Sequence, residues 1–400
     1  MNPKRVAWTL LSMLVVGVPA WAADAAKPRA RDLGVPFTGT PRRLNAITDV
    51  PGVEVGHVTL ISGSGKLQQG SGPVRTGVTA VLPHGKSSPQ KGLFAGWFSQ
   101  NGNGEMTGTT WVEESGQLWG PVMITNTHSV GIVRDAVISW SVARYPSLDL
   151  EDWWALPVVA ETWDGWLNDI NGFHVKAEHA FLALDEAAPG PVREGNVGGG
   201  TGMICYEFKG GIGTASRRVE DESGSYTLGV LVQANFGSRA QLTIAGVPVG
   251  AEIPEGRAYA SSRNLQGAKA DTGSIIVVIA VDAPLLPHQL KRLARRATMG
   301  IARTGSVASD SSGDIFIAFS TANSEAGSPE GVAALKMIPN ARITPFFQAT
   351  VEATEEAIVN ALVAAETMTG VNDRKATALP HDQLVSLLRK YNRLTRPNVR

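Results

Sequence analysis

Residues 254–273 form a polar stretch without helical or strand periodicity, and an apolar run at residues 275–281 follows almost at once. Loops of this length without regular structure are uncommon inside compact domains. The stretch is therefore either a disordered insertion or a functional segment that becomes a free chain end. In both cases a buried strand is predicted to begin where it ends, with Ser274 at the junction.

Elsewhere, short apolar runs alternate with glycine-rich turns, which predicts buried strands joined by tight connections. Helical spacing of apolar residues is clearest at residues 129–144, where Ile132 and Trp140 are expected on one buried face. This mixture predicts an α/β or α+β domain in which helices cover sheets. The predicted strands are residues 77–82, 121–125, 157–160, 227–233, 275–281 and 315–319, and the predicted helices are residues 129–144, 290–301, 351–368 and 381–394.

The N-terminus has the pattern of a secretory signal peptide, in which Lys4 and Arg5 precede an apolar run at residues 6–18. This run is too short for a membrane helix, which needs about 20 apolar residues. We therefore expect residues 1–22 to be removed and the mature chain to be secreted, into the periplasm in a Gram-negative host. Residues 28–45 are basic and contain proline, and they are predicted to form an extended arm that contacts a neighbouring subunit.

The charge balance argues against partners that bind through a strong electrostatic field. The chain has 36 basic and 36 acidic residues, so neither nucleic acid nor an anionic membrane is an expected partner. A hydrophobic content of 43% is enough for a sizeable core. The single cysteine, Cys205, excludes an intramolecular disulfide and is predicted to be a small buried apolar residue. The expected partner is a small, nearly neutral molecule.

Ser274 is the candidate nucleophile because it stands at the entrance of a buried strand and follows a glycine. Gly273 has no side chain, so the serine hydroxyl could approach its carbonyl closely, and its backbone could adopt strained dihedral angles. That arrangement suits an N-to-O acyl shift, and hydrolysis of the ester would give Ser274 a free α-amino group. The pKa of such an amine suits a general base near neutral pH. The alternative is an ordinary Gly-Ser turn.

A second polar cluster precedes the predicted strand at residues 315–319. Ser312 and Asp314 place a hydroxyl and a carboxylate at its entrance, and adjacent strands could bring both groups to Ser274. The carboxylate could then orient the nucleophile, through Ser312 or by holding the α-ammonium group. The alternative is an ordinary Ser-Gly-Asp turn.

Seven segments resemble one family of peptidases. They read GVTAVLPHG, NTHSVGIVRDA, PVVAETWDGWLNDING, NVGGGTGM, LVQANFG, GSIIVVIAVDAPLLP and SSGDIFIAFSTAN. The family is that of the L-aminopeptidase D-Ala-esterase/amidases and β-peptidyl aminopeptidases, the self-processing serine peptidases of family S58. The resemblance covers almost the whole mature chain.

This resemblance implies a four-layer αββα sandwich, of the type shared with ornithine acetyltransferases, in which helices cover two central β-sheets. It also implies a precursor cut between Gly273 and Ser274 into polypeptides 23–273 and 274–400. The two polypeptides are expected to stay together as one catalytic domain and to assemble as a homotetramer.

The resemblance implies catalytic roles for individual residues. Ser274 matches the nucleophile, and Ser312 and Asp314 match a supporting serine and acid, although some relatives have glutamate at position 314. Asn235 matches an asparagine of the oxyanion hole, whose amide could donate to the tetrahedral intermediate. On the residues alone, Asn235 could equally be part of a capped turn.

It also implies two substrate-binding residues. Glu161 matches the acid that binds the free amino group of the substrate, although on the residues alone it could be a surface ion pair. Some relatives have tyrosine where this chain has Trp163, and since indole offers no hydroxyl, we assign Trp163 to the lining of the pocket. The expected enzyme is a self-activated serine aminopeptidase that removes an N-terminal L-amino acid, D-alanine or β-amino acid from short peptides, amides or esters. No metal ion or other cofactor is expected.

Two other functions stay open, namely a self-cleaving acyltransferase of the ornithine acetyltransferase type and a periplasmic binding protein. Those acyltransferases use threonine as the nucleophile, and this chain has Ser274. The sequence contains none of the motifs H-E-x-x-H, G-x-S-x-G and G-x-x-x-x-G-K-[ST], and the spacing of His174 and His179 is unlike that of common zinc sites. A set of tryptophans is predicted to be mainly core, with some members lining a pocket. The set is Trp153, Trp154, Trp163 and Trp166.

Overall fold

The computed structural model describes residues 27–87, 91–259, 273–327 and 331–395. The predicted signal peptide and most of the polar stretch 254–273 lie outside the described residues. Within the described ranges, no helix combines the length and the apolar character needed to cross a bilayer. The strands are β1 Glu54–Ser62, β2 Val74–Lys86, β3 Leu93–Ser99, β4 Gln117–Leu118, β5 Val122–Asn126, β6 Val158–Thr162, β7 Ile204–Cys205, β8 Phe208–Lys209, β9 Gly211–Asp221, β10 Gly224–Asn235, β11 Ser274–Val281, β12 Ile315–Ser320, β13 Met368–Thr369 and β14 Lys375–Ala376. The α-helices are α1 Thr109–Ser115, α2 Val130–Arg144, α3 Ala177–Asp185, α4 Val249–Glu252, α5 Pro287–Arg303, α6 Thr344–Ala364 and α7 His381–Lys390.

Ten of the described strands form two large sheets, and the other four form the two-stranded pairs β7-β8 and β13-β14. The four-stranded sheet has the order β1-β2-β5-β6, in which β5 and β6 are parallel and the other neighbours antiparallel. The six-stranded sheet has the order β4-β3-β12-β11-β10-β9, in which β11 and β12 are parallel and the other neighbours antiparallel. In this register Ser274 lies opposite Asn235, and Ile276 lies opposite Ile315.

The two sheets pack face to face, and helices cover the outer face of each. Successive side chains of a strand point to opposite faces. On β11, Ile276 and Val278 pack between the sheets, whereas Val277 and Ile279 pack on the side of α5 and α6. Helices α2 and α3 cover the outer face of the smaller sheet. The four-layer αββα sandwich is therefore confirmed.

The predicted elements are found in place, with differences at their ends. The helix predicted at residues 129–144 is α2, but Ile132 is 41% exposed and does not lie on its buried face. The helix predicted at residues 351–368 is α6, which starts earlier because Pro345 is compatible with a first helical turn. It also ends earlier, and Met368 belongs to β13. Strands β1, β3 and β9, the two-residue strands β4, β7, β8, β13 and β14, and helices α1, α3 and α4 were not predicted.

The basic segment 28–45 packs against its own chain. Arg29 forms an ion pair with Glu194, and Arg31 forms one with Glu356 on α6, each at 2.7 Å. Glu194 and Glu356 are almost or fully buried, and a buried carboxylate needs a paired cation. The segment is therefore anchored on its own chain, and a contact of its exposed residues with a neighbouring subunit stays a prediction.

Candidate active site

Ser274 is the first residue of β11, and its hydroxyl meets the loop that precedes β12. The backbone N–H of Gly313 donates to Ser274 Oγ at 3.0 Å, and Ser274 is buried. The parallel pairing of β11 with β12 brings this loop to Ser274, because both strands begin at the same edge of the sheet. A donor on the serine oxygen favours the negative charge that develops as the hydroxyl loses its proton.

The need for glycine at position 273 comes from space. A Cβ on Gly273 would lie 1.7 Å from the carbonyl oxygen of Asn235, so a larger residue fits only if the backbone moves. The prediction that glycine also supplies strained dihedral angles here stays a prediction, because residue 272 lies outside the described residues. Close packing holds the Gly273–Ser274 peptide against the end of β10.

Ser312 and Asp314 lie beside the same peptide. Ser312 Oγ is 2.7 Å from the carbonyl oxygen of Gly273 and 2.7 Å from Asp314 Oδ1. A hydroxyl has one proton, so Ser312 can donate to one of these oxygens at a time. Asp314 Oδ1 also accepts from the Ile275 N–H at 3.2 Å, which holds the carboxylate at the start of β11. The structure thus brings the predicted serine and acid to the predicted nucleophile.

Asn235 ends β10 directly opposite Ser274. Its Nδ2 donates to the carbonyl oxygen of Trp163 at 3.0 Å, and its Oδ1 accepts from the Ile204 N–H at 2.8 Å. These two bonds determine which end of the amide is the nitrogen. An amide nitrogen has two N–H donors, of which Trp163 uses one.

Glu161 comes from β6 in the smaller sheet. Its Oε1 accepts from the Glu105 N–H at 2.9 Å, and its Oε2 accepts from the Thr127 hydroxyl. Burial raises the pKa of Glu161, and the hydrogen bonds from Thr127 and Glu105 oppose this rise only in part. A buried carboxylate with remaining acceptor capacity favours a cationic partner.

Gly104 separates Glu161 from the nucleophile. A Cβ on Gly104 would lie 3.3 Å from Glu161 Oε1 and 3.1 Å from the Cα of Gly313, the residue that donates to Ser274. The carboxylate therefore faces the loop that donates to Ser274, across a position where a side chain would intervene. Gly104, Thr127 and Gly313 were not predicted as site residues. The available signals were the glycines of NGNGE and the positions of Thr127 and Gly313 within recognised motifs.

The sequence model of peptidase family S58 matches residues 45–376, a range that contains every residue of this cluster. The chain belongs to peptidase family S58. The beta-peptidyl aminopeptidase BapA of Sphingosinicella microcystinivorans is 58% identical over 394 residues, which cover 96% of this chain and 97% of the relative. The beta-peptidyl aminopeptidase BapA of Sphingosinicella xenopeptidilytica is 51% identical over 386 residues, which cover 95% of each chain.

Two solved structures share the fold of this S58 peptidase. The L-aminopeptidase D-Ala-esterase/amidase of Ochrobactrum anthropi, described as a serine aminopeptidase with a variant of the Ntn hydrolase fold, has a TM-score of 0.86 and 51% identity and covers 92% of this chain and 100% of its own. The beta-aminopeptidase of a Burkholderia species has a TM-score of 0.80 and 47% identity and covers 91% of this chain and 99% of its own. The S58 peptidase is a hydrolase of the aminopeptidase class. The acyltransferase and binding-protein alternatives are not favoured.

Asp164 is a fully buried residue next to Trp163, and it was not predicted as part of the site. Asn168 Nδ2 donates to Asp164 Oδ1 at 3.0 Å. Burial raises the pKa of Asp164 to about 7, although hydrogen bonds from neighbouring polar groups oppose the rise. Asp164 directly follows Trp163, so it anchors the turn that presents the Trp163 carbonyl to Asn235.

Lys209 is a buried residue whose side chain contacts the backbone next to Ile204, the residue that donates to Asn235. Its ammonium nitrogen donates to the carbonyl oxygens of Gly200, Met203 and Gly210 at 3.2, 2.9 and 2.8 Å. Burial lowers the pKa of Lys209 to about 7. The three contacts hold together the short hairpin of β7 and β8, which contains Ile204, the donor to Asn235.

The other residues singled out from the sequence lie as follows. Cys205 is buried, as predicted. Of the four tryptophans predicted to be mainly core, Trp166 is buried, whereas Trp154 is 60% exposed and lines a pocket with Trp153. The prediction that most of them are core is therefore wrong. Trp163 leaves 38% of its surface exposed beside the site. His174 Nε2 lies 2.9 Å from an Asp169 oxygen. Among the residues that the structure describes, no group of three or more His, Cys, Asp or Glu side chains is arranged to hold a metal ion.

Proposed function

We propose that this S58 peptidase is made as a precursor that cuts its own Gly273–Ser274 bond, and that the new N-terminal Ser274 is the nucleophile. The proposal rests on the hydrogen-bonding groups at the two oxygens of this dipeptide. Gly313 N–H donates to Ser274 Oγ, and the Ser312 hydroxyl lies within hydrogen-bond distance of the Gly273 carbonyl oxygen. The first favours the alkoxide, and the second favours the carbonyl oxygen as it becomes an oxyanion.

The cut is an N-to-O acyl shift followed by hydrolysis. Ser274 Oγ attacks the Gly273 carbonyl carbon, and its proton passes by way of Ser312 or Asp314 to the peptide nitrogen. The C–N bond breaks, and the Gly273 acyl group is held as an ester on Ser274. Water hydrolyses the ester, which releases a Gly273 carboxylate and leaves Ser274 with a free α-amino group.

In the mature enzyme this amine serves as the general base for the hydroxyl of the same residue. Asp314 orients the start of β11, where the amine lies, through its contact with the Ile275 N–H. The second N–H of Asn235 donates to the oxyanion, an interaction worth about 3–4 kcal/mol in comparable sites. Water then hydrolyses the acyl-enzyme.

Glu161 binds the free amino group of the substrate. Its burial penalises an unpaired carboxylate, and a substrate ammonium group relieves that penalty whereas a blocked N-terminus does not. Trp163 lines the pocket with its half-exposed indole. The substrates are short peptides, amides or esters with a free N-terminal amine. Among L-residues, D-alanine and β-residues, we favour β-residues, because the relatives at 58% and 51% identity are named beta-peptidyl aminopeptidases.

The proposed enzyme is secreted. The basic and apolar pattern of residues 1–22 supports a signal peptide, which leaves polypeptides 23–273 and 274–400 as one catalytic domain, in the periplasm of a Gram-negative host. We further propose that these cut units form a homotetramer. Exposed apolar side chains such as Val332 and Trp154 support an assembly that covers them.

Substitution of Ser274 by alanine tests the proposed cut. The wild-type chain should give two bands on denaturing electrophoresis and a polypeptide that begins Ser-Ile-Ile-Val by mass and Edman analysis. The Ser274→Ala variant should stay one inactive chain, and the neighbouring Ser309→Ala variant should be cut normally. Cleavage of Ser274→Ala at the same bond would show that another group performs it. Rates on p-nitroanilides of β-homoalanine, L-alanine and D-alanine, with N-acetylated controls, rank the substrate classes.

A further inference from the structure

A run of apolar side chains at residues 331–337 faces solvent. Every residue of this apolar segment is exposed, Val332 completely and Leu335 and Met337 by 43% and 45%. The segment is nevertheless held in place, because the side chain of Asn323 accepts from the Lys336 N–H and donates to the Lys336 carbonyl oxygen, each at 2.9 Å. A fixed apolar run that the described residues leave uncovered is typical of a contact with another protein.

The chain also has an open tryptophan pocket, with a volume of about 330 Å³. It is lined by the indoles of Trp111, Trp119, Trp153 and Trp154. Trp154 and Leu156 expose 60% and 41% of their surface, and the exposed residues Asp149 and Asp152 add two carboxylates to the lining. Tryptophan is among the residues that contribute most to the binding energy of protein interfaces.

The pocket is separate from the cluster around Ser274. It lies at the beginning of β6, next to Pro157 and Val158, whereas Glu161 lies near the end of that strand. It is therefore not part of the cluster that contains the candidate nucleophile.

The apolar segment and the tryptophan pocket are neighbours on the surface. Gln117, which lines the pocket, donates through Nε2 to the Ala326 carbonyl oxygen at 2.7 Å. Five residues further along the chain the segment begins at Gly331, a distance of at most about 18 Å. A two-fold axis that passes between these two surfaces places the apolar segment of each copy on the tryptophan pocket of the other copy. This follows because a two-fold contact is self-complementary.

We propose that the occupant of the tryptophan pocket is the apolar segment of a second copy of this chain. Leu335 and Met337 pack on the indoles, and the ammonium group of Lys336 pairs with the carboxylates of Asp149 and Asp152. The positive charge of Lys336 complements the negative charges of Asp149 and Asp152, and this pairing fixes the register of a contact that is otherwise apolar. This inference rests on the proposed assembly and specifies one of its interfaces.

Sedimentation velocity on three variants tests the contact. Leu335→Asp in the segment and Trp154→Ala in the pocket should each reduce the assembly to smaller units at concentrations where the wild-type chain is intact. Leu182→Asp is the matched control, because Leu182 is a leucine on α3 with a similar exposure of 47%. Leu182→Asp should keep the wild-type mass.

A charge exchange tests the register. Lys336→Glu should shift the dissociation midpoint to about tenfold higher concentration, and Asp152→Lys in the same chain should restore it to within about threefold. A carbodiimide should also join Lys336 to Asp149 or Asp152 between two chains, giving a covalent dimer whose linked peptide is mapped by mass spectrometry. Lys336→Arg should assemble normally and lose this link.

The outcomes separate the two proposals. An oligomer that keeps its mass in both Leu335→Asp and Trp154→Ala overturns the contact alone, and so does a charge exchange without rescue. A wild-type chain that stays monomeric overturns the assembly and the contact together. Peptidase activity and self-cleavage, measured in the same samples, report on the proposed chemistry independently of either result.

Discussion

At position 273, the absence of a side chain lets the peptide lie close to the end of β10. Alanine at position 273 would place its Cβ 1.7 Å from the Asn235 carbonyl oxygen, so the peptide must shift relative to Asn235 and with it the carbonyl oxygen that contacts Ser312. A displacement of about 1 Å can cost about 100-fold in rate. We expect Gly273→Ala to slow self-cleavage by about that factor, followed as the fraction cut over time on denaturing gels. Gly131→Ala is the control, because nothing lies within 4 Å of a Cβ there, and cleavage of both variants at the wild-type rate would contradict the expectation.

Glu161 makes substrate binding depend on pH. Burial raises its pKa above the ordinary value for glutamate, so the carboxylate that pairs with an ammonium group is lost as the pH falls through that raised value. The KM for substrates with a free amine should therefore rise at mildly acidic pH, where an exposed glutamate would still be ionised. This is measured as KM across a pH series.

Glu161→Gln should remove that dependence and raise the KM at neutral pH by about tenfold or more, because a charge-assisted bond is lost. The exposed Glu114 provides the control variant Glu114→Gln, whose KM should follow the wild-type curve. An unchanged KM in Glu161→Gln would remove this residue from the substrate site.

The site residues differ in how readily they can be predicted from the sequence. Ser274, Asn235 and Asp314 stand at the ends of apolar runs, where polar groups are conspicuous, and motif resemblance singled them out. Gly104 and Thr127 contribute a missing side chain and a contact made from a distant segment. Neither property leaves a local pattern, because each depends on which segments the fold places next to Glu161.

At the scale of elements, burial decides what could be predicted. Strands β11 and β12 are buried on both faces and read as continuous apolar runs, so their positions follow from the sequence. Strand β9 does not, because it carries Arg217 at a fully buried position, where a charged side chain argues against a core strand. The pairing partner Glu356 lies on α6, far along the chain.

The segment 28–45 is stabilised by such partners. Arg31→Met should lower the free energy of unfolding by about 2–3 kcal/mol, because Glu356 is fully buried and loses one of its two ion pairs while keeping Arg217. Chemical denaturation of the uncut Ser274→Ala form measures this on a single chain. Arg43→Met alters an exposed arginine of the same segment and should change the stability little. Equal effects of both substitutions would show that the ion pair with Glu356 is not the cause.

At the scale of the whole molecule, the proposed cut assigns neighbouring strands of one sheet to two different polypeptides. Strands β11 and β12 belong to polypeptide 274–400, and β10 and β3, their outer neighbours, belong to polypeptide 23–273. Separation would break two hydrogen-bonded strand pairs and expose the core between the sheets. The two polypeptides should therefore elute together from gel filtration after the cut and separate only in denaturant. The uncut Ser274→Ala form should elute at the same volume, and separate species in native buffer would contradict the expectation.

In the proposed precursor, the contact between Gly273 and Ser312 keeps the chain's own Gly273–Ser274 peptide in the position where a substrate would lie. Until the proposed cut, Ser274 has no free α-amino group and its site is occupied, so such a precursor would be inactive without a separate inhibitor. The proposed cut would also favour release of the residues that occupy the site. The cut would leave a new carboxyl group on Gly273 close to Ser312 and Asp314, and two carboxylates that share a site repel each other when both are ionised.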